Sequence, residues 1–270
     1  LPWFELRDER LVLADDTLGP IADVHTHLAL SYVRHESVDL KDGRNAAAVE
    51  RAKEALTELK RAVDAGQGLP WETMNSIKWA GGLARSQLLE YDTAIHFFEK
   101  MIEFTEGPYW QVPARLEIAQ TYRQQGMYEK AAEQYDLIGE FENQDHQGEL
   151  ARAQMIFYDM GQEEKGAELL EEAMSDERLH HTQRYRVAFE VAEHYRKARE
   201  YDRALEWLRK VPELPMDNEK VVKSYTTQAY YRMGEVHMES GHQEKAKELF
   251  RKAMNLEGGD MRYRVQARDQ

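Results

Sequence analysis

Five segments of this chain repeat one pattern of residue sizes, and that repetition constrains the fold more than any other feature. Each copy carries an apolar residue followed by a small one, an aromatic or His three positions later, a turn, then a small residue with a large apolar one four further on. The clearest copy is Ile118-Ala119, Tyr122, Gly126, Tyr128, Ala131 and Tyr135; the next reads Ala153, Phe157, Gly161, Gly166 and Leu170, with Gln154 in the small column. Val191-Ala192, Tyr195, Tyr201, Ala204 and Leu208 follow, then Met233-Gly234, His237, Gly241, Ala246 and Phe250. A weaker first copy runs through Gly82, Tyr91, Ala94 and Phe98. The second small residue recurs at Ala94, Ala131, Gly166, Ala204 and Ala246, so successive copies are 37, 35, 38 and 42 residues apart.

Within a copy the apolar residues fall at i, i+3, i+4 and i+7, the period of an amphipathic helix, on both sides of a short turn. Small residues let two helices approach closely, and aromatics fill the space between hairpins. Glycine suits three of the turns because a helix commonly ends on a residue with positive φ. A hairpin of this size cannot bury its apolar face alone, so successive hairpins must stack.

The spacing and the columns resemble the tetratricopeptide repeat over about 71–256, some five repeats. The resemblance implies an all-α, right-handed α-solenoid. Residues 44–70 read as a capping helix ("RNAAAVERAKEALTELKRAVDA") and connector, and 257–270 as a C-terminal cap or tail after Gly258-Gly259. Residues 1–43 form a separate leader, in which "FELRDERLVLADD" alternates as one or two short β-strands would.

In the leader, "GPIADVHTHLAL" places Asp23, His25 and His27 at period 2. On a strand these side chains share a face, and imidazoles with a carboxylate are suitable zinc or iron ligands. The segment weakly resembles the opening strand of metal-dependent amidohydrolases, a resemblance that implies His25 and His27 as metal ligands. Residues 44–270 nevertheless lack the alternating strands and helices such a barrel requires. On a helix, with Leu28-Ala29 and Tyr32 in the repeat columns, His25 and His27 diverge by about 200° and cannot hold one ion. The leader is also readable as a fused remnant whose barrel is absent.

Charge narrows the function classes. With 36 Lys+Arg against 50 Asp+Glu the net charge is −14, which argues against a phosphate-backbone binder, and no run approaches the ~20 apolar residues of a membrane span. The absence of Cys removes thiolate chemistry, and no dinucleotide, P-loop, zincin or hydrolase-elbow motif is present. We therefore expect no catalytic residues, no cofactor, no nucleic acid and no membrane. The His180-His181 pair reads most simply as a loop at a helix start. The expected compartment is cytoplasmic, although the chain opens at Leu1 without Met, so an upstream targeting segment would be invisible.

In a stacked array the first helix of each hairpin lines a concave groove. Counting from the columns, the inward residues are Leu116, Gln120 and Arg123; Ala151, Met155 and Tyr158; Phe189, Glu193 and Arg196; and Tyr231, Glu235 and Met238. Aromatics, Met and Arg are enriched in protein interfaces. The leading expectation is a scaffold that holds a peptide segment of a protein partner in this groove. The alternatives are a hydrolase fragment using Asp23, His25 and His27, and a structural module that self-associates as a homo-oligomer.

Overall fold

The computed structural model describes residues 4–7, 10–13, 71–214 and 218–270. The expected helix over 44–65 and the Asp23, His25 and His27 set lie outside the described residues. At the N-terminus, strand β1 (Phe4–Arg7) pairs antiparallel with β2 (Arg10–Leu13) in the register Phe4↔Leu13 to Arg7↔Arg10. From Trp71 onward the described residues are helical hairpins, the all-α repeat fold expected from the columns. The chain divides into two units, Leu1–Met155 and Ile156–Gln270.

In the first unit, α1 (Trp71–Leu83) ends in a π-helical turn (Ala84–Leu88) and pairs with α2 (Tyr91–Glu103); α3 (Pro108–Gln124) pairs with α4 (Tyr128–Gly139), and α5 (Asp145–Gln154) packs on α4. One core gathers Met74, Phe97, Phe98, Met101 and Ile118, and a second gathers Val112, Ala119, Tyr135, Ile138 and Met155. In the second unit, α6 (Glu163–Ser175) packs on α7 (His181–Lys197), which pairs with α8 (Tyr201–Lys210). Helix α9 (Glu219–Glu239) pairs with α10 (Gln243–Asn255), and α11 (Met261–Arg268) packs on both.

The repeat columns explain why these helices stop and meet where they do. Ala94, Ala131, Gly166, Ala204 and Ala246 are each the fourth residue of their helix, and all are buried. The large residues one turn later, Phe98, Tyr135, Leu170, Leu208 and Phe250, are at most 4% exposed. Small beside large on one face lets the paired helices close to contact without a void. The turns leave the first helix through the left-handed region at Gly126 (φ 73°), Gly161 (φ 66°) and Gly241 (φ 81°). The corresponding position between α7 and α8 is Arg199, with φ 64°. A residue with a Cβ is strained there by about 1 kcal/mol or more.

Two copies depart from the expected register, and the π-helical turns are the reason. Where no π turn intervenes, the small residue precedes the large one by sixteen positions, as in Ala119 to Tyr135 or Gly234 to Phe250. A π turn takes up one extra residue. In the first copy Gly81, not the expected Gly82, therefore meets Phe98: a Cβ on Gly81 would lie 2.7 Å from the ring, whereas one on Gly82 meets nothing within 4 Å. In the third copy the second π turn (Met155–Asp159) moves the close-packed position from Gln154 to Ala153, which is 1% exposed.

Two adjacent glycines should thus respond oppositely. Gly81→Ala drives a methyl into the buried Phe98 ring and is expected to cost about 1–3 kcal/mol. Gly82→Ala gains helix propensity and should stabilise by up to about 1 kcal/mol. Urea unfolding of the two variants checks this, and a loss of stability in both would contradict the π-shifted register.

Candidate functional site: a mixed cavity on helices α7 and α9

The second unit holds a cavity of 720 Å³ lined by α7, α9 and the π turn that precedes Gly161. Helix α7 contributes Thr182, Arg186, Phe189, Glu190, Glu193, His194 and Lys197; α9 contributes Tyr225, Gln228 and Arg232; the π turn contributes Tyr158. Helix α7 is placed by its N-cap, His180, whose side chain accepts from the Thr182 amide while Gln183 reaches back to the His180 amide at 3.3 Å. This capping box commits His180 to helix initiation. Helix α9 is set the same way by Asn218, whose Oδ1 accepts from the amides of Lys220 (3.1 Å) and Val221 (3.3 Å).

Aromatic rings form the apolar part of the wall. Tyr225 stacks on Tyr185 with ring centres 3.9 Å apart, and Phe189 lies 6.3 Å from Tyr225. The Arg232 guanidinium sits 4.9 Å over the Phe189 ring, an arrangement attracted by the ring quadrupole. With the Gln228 amide oxygen turned toward it, Gln228 accepts from Arg232 Nη2 (3.1 Å) and Nε (3.2 Å) and from the Tyr263 hydroxyl (3.0 Å). Tyr158 packs edge-on to Phe157 (4.7 Å) and near His194 (5.6 Å), and His194 Nε2 meets Glu163 at 3.0 Å. Burial pushes the Tyr158 phenol well above its ordinary pKa, so it stays a neutral hydroxyl; among the described residues that hydroxyl has no hydrogen-bond partner.

Charge at the cavity is balanced rather than uniform. Glu193 accepts from Arg196 through both carboxylate oxygens (2.8 Å each), with Lys197 at 3.6 Å. Those hydrogen bonds hold the Glu193 carboxyl below its ordinary range and, with Glu239 as a further partner, hold Arg196 above its own. The Arg196–Glu239 ion pair ties α7 to α9. Burial raises Glu235, which accepts from Tyr231.

The residues counted inward from the sequence are distributed as follows. Tyr158, Phe189 and Glu193 line the cavity together. Arg196 orders Glu193 from beside it; Tyr231 packs 5.6 Å from both Phe250 and Tyr263, and Met238 is exposed. In the first unit Leu116 and Met155 pack on the core around Tyr135, with Met155 only 3% exposed, while Gln120, Arg123 and Ala151 are half-buried. Sequence counting did not reach Tyr225, Gln228 and Arg232. Their i, i+3, i+7 spacing is the signal that marks them, as the spacing of Thr182, Arg186, Phe189, Glu193 and Lys197 marks the facing stripe.

Among the described residues no group of three or more His, Asp or Glu side chains could hold a metal ion, and no helix is long and apolar enough to cross a membrane.

Residues 227–260, from the middle of α9 through α10, match the tetratricopeptide repeat family model. That segment is similar to a tetratricopeptide repeat. It contains Gly234, whose added Cβ would lie 2.4 Å from the Phe250 ring, so the small-against-large contact of the repeat is fully closed here. Tetratricopeptide repeats generally mediate protein–protein interaction. Solved structures similar to this chain include a tetratricopeptide repeat protein from Parabacteroides merdae, at 16% identity and a TM-score of 0.42, covering 91% of this chain and 90% of that one. BtubC (BKLC) from P. vanneervenii is another, at 16% identity and a TM-score of 0.40, covering 92% and 90%. No curated protein sequence matches this one.

Proposed function

We propose that this protein is an interaction scaffold whose α7–α9 cavity receives an extended or helical peptide segment of a protein partner. The observation that carries the reading is the wall itself: Phe189, Tyr225 and Tyr158 give apolar area, and Arg186, Lys197, Arg232, Glu190 and Glu193 ring it with both signs of charge. Buried aromatics flanked by Arg are the residue types that dominate binding energy at interfaces. The net charge of −14 favours a partner segment with basic character, through encounter rate more than through affinity. Quantitative recovery of the partner by the intact chain and by a Phe189→Ala/Tyr225→Ala variant, both residues being on the cavity wall, tests the reading. Unchanged recovery by a folded variant would count against it.

A further inference from the structure

A second cavity, of 930 Å³, lies in the second unit where the α7–α8 turn meets the α9–α10 turn. Arg199, Arg209 and Lys245 line it, and none of the three forms an ion pair with a carboxylate among the described residues. Three acids share the lining, but two are already engaged: Glu200 with Arg203 at 3.2 Å, and Glu239 with Arg196. Arg203, the fourth cation, is held by Glu163, Glu164 and Glu200. Asp202 is the one carboxylate left facing three uncommitted cations, an excess of two positive charges in a chain whose net charge is −14.

Two further features point to a ligand. His237 lines the cavity at 7% exposure, and its Nδ1 has no hydrogen-bond partner among the described residues, which a buried polar group seldom tolerates. Its neighbours include Lys245, Arg209 and His242. The first turn of α8, Tyr201–Arg203, also faces the cavity, and the amides of a helix start favour anions. Arg199 occupies the left-handed position that glycine takes in three of the other hairpin turns and Leu89 takes in the first.

We infer that this turn-side cavity binds a phosphate group, either as the free ion or as a phosphate monoester on a partner side chain, through Arg199, Arg209 and Lys245. The site is separate from the α7–α9 cavity, so its failure would leave the peptide reading untouched.

The test titrates the full chain at pH 7.5 and constant ionic strength with sodium phosphate, a phosphoserine peptide and the same peptide unphosphorylated. Binding is followed by calorimetry and by the imidazole resonances of His237 and His242. Saturable binding of phosphate or of the phosphopeptide, with movement of the His237 signal, is expected. Arg199→Gly and Arg209→Gln should each weaken it about tenfold, the loss of one charge-assisted contact. Arg199→Gly relieves the backbone strain, so its loss of binding cannot be ascribed to misfolding. Preference for the phosphopeptide identifies a modified side chain as the source; equal binding identifies the free ion. Non-saturable signals, a stationary His237 resonance, or binding that both variants retain in full would overturn the assignment.

Discussion

Replacing Gly166 by alanine is expected to destabilise the second unit by about 2–3 kcal/mol. Gly166 is the fourth residue of α6, and a Cβ there would lie 2.5 Å from the Phe157 Cα and 2.7 Å from its backbone nitrogen. These are main-chain atoms of the π turn, so relief cannot come from rotating a side chain; α6 must move away from the turn that carries Tyr158. Alanine returns up to about 1 kcal/mol of helix propensity, which is too little to reverse the sign. Thermal unfolding should show the midpoint falling by roughly 4–10 °C. A midpoint unchanged or raised would mean that the repeat tolerates a wider helix separation than the structure shows.

Phe189→Ala should produce the largest loss of partner binding, at least about 2 kcal/mol or thirtyfold. Its ring is 7% exposed, lies beneath Arg232 and beside Tyr225, and forms the centre of the cavity wall. Because truncating a buried aromatic also costs stability, Arg232→Ala provides the control. Arg232 is half-buried, forms no ion pair among the described residues and hydrogen-bonds only Gln228 on the cavity wall, so its removal should lower the unfolding midpoint by much less than Phe189→Ala does. Partner affinity should nevertheless fall about tenfold, through the lost Arg contact and the uncovered Phe189 face. Affinities from fluorescence anisotropy, read beside the unfolding midpoints, separate the two effects. Full affinity in a folded Phe189→Ala protein would remove the cavity from the binding surface.

Much of the fold was legible because its determinants are local and repetitive. A small residue at the fourth position of the second helix and a large one a turn later, as at Ala131 and Tyr135, force close packing wherever they recur. The π turns were not legible: "ARSQL" and "MIFYD" carry no residue that announces one, and each shifts the small column by a single position. Hence Gly81 and Ala153 do the work the sequence reading gave to Gly82 and Gln154. The cavity was half legible. Tyr158, Phe189 and Glu193 follow from counting along the repeat, whereas Tyr225, Gln228 and Arg232 depend on α9 being 21 residues long and starting at the Asn218 cap. A repeat of average length would have begun later and left Tyr225 in the connection.

The most direct measurement places a photo-crosslinking residue at Glu190, on the cavity wall, and in a second protein at Glu206, exposed on α8. Irradiation in the presence of the partner should yield an adduct from Glu190 and none from Glu206, with the Glu190 adduct lost on Phe189→Ala. Adducts of equal yield from both positions, or from Glu206 alone, would contradict binding in the α7–α9 cavity.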